Sequence, residues 1–274
     1  VLVEEPEAHL HIQVQQVFIR QAYKVLTNHK FLKQNLNFTT QLVISTHSSH
    51  IAIETTFGNL RYFKRLPEGT ECAVATSKVI NLSDVFGDSD QTNKFVTRYL
   101  QSTHCDLFFA DAAILVEGVA ESMLLPHFIR SKFPELYQRY ITILGVNGRH
   151  AHRLSPLIEK LCLPTLVITD LDPAEKEGYH KSVVPKRGEG QISGNYAIAK
   201  WLMKEKDIDK LVDYSEDKKE FSFASPYRFS IRLAYQTPVK VDFEGEEKEA
   251  IPGTFEDCLI YTNYDLFKKI KVTD

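Results

Sequence analysis

The sequence predicts an α/β protein built on a doubly wound parallel sheet, and three observations point there. From residue 111 to residue 172, apolar strands alternate with helical segments: AAILVEG, a helix from Glu121 to Ser131, YITILGV, a helix around Leu154 to Leu161, then PTLVITDLD. Strand, helix, strand, helix, strand is the order of a parallel sheet with helical crossovers. Acids stand where two of those strands end, Glu117 after the first and Asp170 and Asp172 after the third. In an open parallel sheet, polar chemistry gathers at the carboxyl ends of the strands. Upstream, VLVEEPE and QLVIST repeat the pattern of an apolar strand ending in polar residues.

Residues 1 to 5 read as the end of a strand. Pro6 to about Gln34 reads as a long helix, with Val14, Val17, Phe18, Ala22 and Val25 at helical spacing. QLVIST (41 to 46) is a buried strand, and a short helix follows over His50 to Glu54. NLRYFKRL and CAVATSKVI form two antiparallel strands around the turn Pro67-Glu68-Gly69. Thr92 to about His104 is a connecting helix. Beyond the third strand, Pro173 to about Asn195 is polar and rich in Gly, Lys and Arg; a helix, AIAKWLMKE, comes next. The stretch from 221 onward holds a strand, RFSIRLAY, and a helix starting near Thr254. The expected division is 1–90, a connecting helix over 91–110, and 111–274. Because the chain opens inside an apolar run without Met, it is expected to be a piece of a larger protein.

The 274 residues, 43% hydrophobic and 25% charged, suit one large core or two smaller ones. A formal charge of -3 gives no global attraction to nucleic acid, so such binding would need a local basic patch or metal ions. Cys72, Cys105, Cys162 and Cys258 form no C-x-x-C pair. That argues against a zinc ribbon or disulfide scaffold and for reduced thiols in a cytoplasmic protein. No apolar run approaches the roughly 18 residues of a membrane span, so no membrane association is expected.

Apolar strand, two acids, proline is what the second half of a nucleotide-hydrolysing site needs. Glu4 would help hold the water shell of Mg²⁺, Glu5 would polarise the attacking water, and His47 would contact the γ-phosphate from a neighbouring strand end. Acids and Pro6 at the start of a helix satisfy its dipole equally well. EEPEAHLH followed by ISTHSSH resembles the Walker B, D-loop and switch-histidine segments of ABC-type ATPases of the RecF, SMC and OLD kind. Glu4 stands where the wider group usually has Asp. No G-x-x-x-x-G-K-[ST] occurs in the chain, so ATP is expected as a cofactor of the full-length protein only.

Gly118 lets the backbone turn tightly after Glu117, so Glu121 can face back across the edge that Asp170 and Asp172 share. Acids converging there repel one another unless a cation compensates, and oxygen-only ligation selects Mg²⁺ or Mn²⁺. Two such ions about 4 Å apart would stabilise the attacking and leaving oxygens of phosphodiester cleavage. Singly, D-x-D and EG also occur in solvated loops and turns. Together they resemble the Toprim fold of topoisomerases, primases and OLD nucleases, and the acid at Glu121 is a feature of the OLD group. An ABC-type ATPase portion followed by a Toprim domain is the OLD architecture, and GQISGNYAIAKWL (190 to 202) resembles its class 2, Gabija-like members. The resemblance implies a metal-dependent DNA endonuclease regulated by its ATPase, DNA as partner, a UvrD-like helicase as possible partner, and a homodimer or higher oligomer. It also implies Glu117, Asp170 and Asp172 as catalytic, with Glu121 and Glu256 as further metal ligands. Glu256, beside Asp257 in GTFEDCL, suits an acidic first helical turn as well.

Lys181, Lys186 and Arg187, near His180, form a basic Gly-containing loop suited to backbone phosphates, or to plain solvation. Ser193 and Asn195 would cap the next helix or orient a phosphate. Trp201 reads as core. Lys268, Lys269 and Lys271 follow Glu256 too closely to be assigned a catalytic role. The competing function is a DNA-binding ATP-switch module whose Toprim acids hold a non-catalytic ion. A topoisomerase or primase would need further modules that are not visible here.

Overall fold

The computed structural model describes residues 1–28, 40–66, 68, 74–83, 85, 91–100, 105–146, 150–176, 182–202, 204–224 and 228–269. They fall into two compact units, Val1–Ala110 and Asp111–Asp274. Most of the expected Pro67-Glu68-Gly69 turn, along with His180 and Lys181, lies outside the described residues.

In the first unit, β1 (Leu2–Glu4) runs parallel to β2 (Val43–Ser45), with Glu4 opposite Ser45. The long helix expected from Pro6 is interrupted. Glu5 is left-handed (φ 40°), Pro6–His9 makes one 3-10 turn, and Leu10 is extended (φ -112°, ψ 132°). An extended residue cannot propagate helical hydrogen bonds, so α1 starts afresh and spans Ile12–Asn28. Its apolar stripe is not buried: Val14, Val17 and Val25 are 48, 54 and 67% exposed. Polar contacts hold α1 to the next helix, α2 (Ser49–Ile53): Ser48 donates to Gln15 (2.7 Å), and the Arg20 guanidinium forks onto Glu54 with both bonds at 2.6 Å. β3 (Arg61–Leu66) and β4 (Thr76–Asn81) form the expected antiparallel pair, and α3 covers Gln91–Tyr99. Ile51, Phe57, Leu82, Leu100 and Leu107 are buried as the core of this unit.

The second unit is built on a five-stranded sheet in the order β10-β11-β7-β5-β6. Here β5 is Ala112–Val116, β6 Ile141–Gly145, β7 Thr165–Ile168, β10 Glu220–Phe223 and β11 Phe229–Ala234. All neighbours are parallel except β10, an antiparallel edge strand. β5 lies inside the sheet between β7 and β6 and is continuously apolar, with Ala113, Ile114, Leu115 and Val116 buried, as a strand covered on both faces must be. β11 was expected as a strand; its place beside β7 was not foreseen.

Helix α4 covers Val119–Lys132, α5 Pro134–Tyr137 and α6 Ser155–Leu161. α4 opens two residues before the expected Glu121, because Gly118 serves as its N-cap, and Glu121 therefore sits in the first turn. The polar stretch after β7 is pinned by a short antiparallel pair, β8 (Pro173–Ala174) with β9 (Ile192–Ser193). α7 (Tyr196–Trp201) and α8 (Ile208–Val212) follow; α7 is shorter than expected, ending before Leu202. β12 (Val239–Phe243) and β13 (Glu246–Ala250) form an unforeseen hairpin. Its two turn residues, Glu244 (φ 55°) and Gly245 (φ 85°), are both left-handed, the tight turn that matches strand twist. Mostly charged strands gave it little apolar signal. α9 (Phe255–Thr262) begins with a reciprocal Thr254–Asp257 capping box. Among the described residues no helix is long and apolar enough to cross a membrane.

Candidate active site

β5 and β7 are hydrogen-bonded neighbours with Val116 opposite Ile168, so the residues leaving each strand emerge side by side. Glu117 leaves one; Thr169, Asp170 and Asp172 leave the other. The chain turns at Gly118 into α4, which buries Glu121 to 3% exposure. A Cβ on residue 118 would lie 2.3 Å from Glu121 Oε2, so only glycine admits that carboxylate where it stands. Glu121 Oε2 is buried and has no hydrogen-bond partner among the described residues.

Each of the other acids is held by a neutral donor. Glu117 Oε1 accepts from the Thr169 hydroxyl and from Asn195 Nδ2 (2.8 Å). Asp170 Oδ1 accepts from Gln236 Nε2, and Gln236 Oε1 in turn accepts from the Leu171 amide (2.8 Å). Asp172 is left-handed (φ 46°), and its Oδ2 accepts from Asn195 Nδ2 at 3.4 Å. Burial pushes the Asp170 carboxyl up to about 7; the Gln236 bond opposes the rise, and the charges of Glu117, Glu121 and Asp172 add to it. Burial likewise raises Glu117, against the Asn195 and Thr169 bonds and with help from Asp172 and Glu121. The four acids thus act on one another electrostatically.

The arrangement is not a closed coordination shell. Among the described residues, no three His, Cys, Asp or Glu side chains are grouped tightly enough to hold one ion as they stand. The chemistry of the donors nevertheless suits a hard cation: carboxylate oxygens, one of them buried without a partner, in a field that penalises their charge. Glu256 is exposed in the first turn of α9. That helix packs against α4, which carries Glu121.

The basic loop is placed only in part, since Lys181 lies outside the described residues. Lys186 is exposed, with its backbone amide donating to Gln191. Arg187 is engaged by Asp213 (2.9 Å) and Glu249 (2.6 Å), which hold its guanidinium firmly protonated. A phosphate would have to displace those carboxylates. Asn195 caps α7 as expected, accepting from the Ala197 and Ile198 amides. Ser193 is buried and accepts from the Asn195 amide at 3.1 Å.

Sequence reasoning missed three members of the cluster: Thr169, Gln236 and the second face of the Asn195 amide. Thr169, a polar residue ending an apolar strand, could have been noticed; Gln236 carries no local signal.

In the first unit, the parallel ends of β1 and β2 carry Glu4, Glu5 and His47. Glu4 is exposed, and His47 Nε2 lies 3.2 Å from Glu5 Oε1. The unforeseen member is Glu7, whose Oε1 accepts from the Thr46 hydroxyl (2.9 Å) and the His47 amide (2.6 Å). It ties the turn after β1 to the histidine after β2.

A parallel sheet with acids at the adjoining ends of β5 and β7 defines a Toprim-type α/β protein. Residues 108–172 match the family described as "Overcoming lysogenization defect protein-like, TOPRIM domain", and residues 1–52 match the AAA ATPase domain. Residues 108–172 thus resemble an OLD-like Toprim domain, and the sequence before them resembles an AAA ATPase domain. It is 29% identical over 279 aligned residues to "Endonuclease GajA" of Bacillus cereus (strain HuB5-5), covering 96% of this chain and 37% of that protein. A second "Endonuclease GajA", from Bacillus cereus (strain VD045), is 24% identical over 218 residues, covering 80% of this chain and 33% of the relative. The chain spans about a third of the length of these curated relatives.

Proposed function

We propose that this chain is the carboxylate-bearing part of a metal-dependent DNA endonuclease of the OLD family. The observation that carries the reading is the buried, unpartnered Glu121 Oε2 beside three further acids at the ends of β5 and β7. Glu117, Glu121, Asp170 and Asp172 would hold Mg²⁺ or Mn²⁺, two ions in all, with Glu256 as an outer candidate. Such ions, when bound, supply an activated water and stabilisation of the leaving phosphodiester oxygen. The protein keeps the acids together at the cost of their mutual repulsion and gives three of them neutral donors that leave their charge in place. Glu4, Glu5 and His47 belong to a nucleotide site that would regulate cleavage in the whole protein, where a homo-oligomer and a UvrD-like helicase partner are part of the same reading. The test is incubation with supercoiled plasmid and Mg²⁺ or Mn²⁺. Nicked or linear product is expected; intact plasmid with both metals would favour a non-catalytic ion.

Gly118→Ala separates the acids' geometry from the fold. The nearest atoms to the new Cβ are those of the Glu121 carboxylate, at the far end of its side chain rather than in the backbone, so the metal-free melt should change by no more than about 2 °C, whereas the Mn²⁺-induced rise in Tm should shrink markedly. An unchanged Mn²⁺ shift would show that the position of Glu121 does not matter.

Lys186→Glu is the clean probe of the basic loop, because Arg187→Glu would also break the Asp213 and Glu249 pairs. It should weaken DNA binding similarly for unrelated sequences and reduce the salt slope by about one. An unchanged slope would mark Lys186 as a solvated surface residue.

A further inference from the structure

Asn195 is 1% exposed and uses both faces of its amide. Oδ1 accepts from the Ala197 (2.8 Å) and Ile198 (3.4 Å) amides at the start of α7. Nδ2 faces Glu117 Oε1 (2.8 Å), Thr169 Oγ1 (2.8 Å), the Asp170 carbonyl (3.0 Å) and Asp172 Oδ2 (3.4 Å). The orientation is forced: the helix end offers only N–H donors and the acids only acceptors, so the flipped amide would lose both sets of bonds. The backbone is fixed too, since Ser193 Oγ accepts from the Asn195 amide and Asp172 O from the Gly194 amide (2.8 Å).

We infer that Asn195 is a positioning residue of the carboxylate site, locking Glu117 by one oxygen so that its other oxygen is free for a cation. This rests on the reading that the acids hold a cation. The chemical choice is informative. A lysine at this point would bind Glu117 more strongly but would neutralise it and compete with the cation, whereas a neutral amide orients the carboxylate and leaves its charge in place. Nδ2 has two hydrogens and four acceptors within reach, so it can follow modest rearrangement of the acids as an ion enters while Oδ1 stays anchored to α7.

The test measures Mn²⁺ affinity by electron paramagnetic resonance on the chain and its variants, with metal-free melts alongside. Asn195→Ser and Asn195→Thr keep an oxygen that can cap α7 and remove the Nδ2 amide donor, leaving one O–H on a shorter side chain; Asn195→Ala removes both. The capping variants should keep a metal-free Tm near that of the parent while the Mn²⁺ dissociation constant rises roughly 10- to 100-fold. Asn195→Ala should lower the metal-free Tm as well. In a Glu117→Ala background, Asn195→Ser should change the remaining affinity by less than about threefold, because the residue acts through Glu117. If Glu117→Ala weakens Mn²⁺ binding but the capping variants bind like the parent, Asn195 is a helix cap and no more. An equally large loss from Asn195→Ser with and without Glu117 would likewise overturn the inference. If Glu117→Ala itself binds like the parent, the cation reading falls and takes the inference with it.

Discussion

Glu117→Ala and Asp170→Asn are each expected to reduce plasmid cleavage below detection in Mg²⁺ or Mn²⁺ while leaving the metal-free fold intact. Loss of activity follows because each variant removes a ligand from ions that must activate water and stabilise the leaving oxygen. A carboxylate that served only the fold would be missed, but neighbouring acids raise the proton affinity of both Glu117 and Asp170, so removing one charge relieves repulsion. Most neighbouring donors keep a partner: without Glu117, Asn195 Nδ2 still reaches Thr169, Asp170 O and Asp172, and Asn at 170 keeps an oxygen for Gln236, while the Thr169 hydroxyl loses its acceptor in Glu117→Ala. The metal-free Tm at pH 8 should therefore equal the parent's or exceed it by about 2 °C, and the Mn²⁺-induced rise should be lost. Full cleavage by Glu117→Ala, or a strongly destabilised metal-free protein whose Mn²⁺ shift stays intact, would remove these residues from the site.

Stability without metal should fall as pH rises from 6 to 8, and Mn²⁺ should reverse that trend. Burial and like charges raise Asp170 from the usual carboxylate range to about 7 in the folded chain. A group whose folded pKa lies above its unfolded value contributes stability that is full below about 3.8, the unfolded value, and is lost as pH passes through about 7. Glu117 acts in the same direction. The metal-free Tm should drop by a few degrees, on the order of 2–4 °C, across this interval. Bound metal needs the deprotonated acids, so the Mn²⁺-induced shift should be larger at pH 8 than at pH 6. Asp170→Asn should flatten the metal-free profile. A parent profile that is already flat, or one that rises with pH, would show that Asp170 ionises without penalty.

The order of strands and helices from 111 to 172 was legible because each strand is a short apolar run and each crossover has helical period. Both are local properties of neighbouring residues. The same locality made Glu117, Glu121, Asp170 and Asp172 visible, since a strand end and the turn after it lie within a few positions of each other. Pro6 misled for a related reason: the apolar spacing of α1 signalled a helix but could not show that Leu10 is extended and breaks it from the preceding turn. The β12–β13 hairpin was hidden because its strands carry charge where apolar alternation would have announced them.

The sequence by itself determined where β5 and β7 end and that acids follow both strands. Only the tertiary structure decided what holds the acids. Gln236 reaches Asp170 across 66 positions because β11 lies parallel to β7, and Asn195 reaches Glu117 across 78 because the β8–β9 pair folds the polar stretch back onto the edge. Strand order and a loop's return are set by packing of the whole sheet. No local period encodes them, and a buried carboxylate's partners therefore became known only when its neighbours in space replaced its neighbours in sequence.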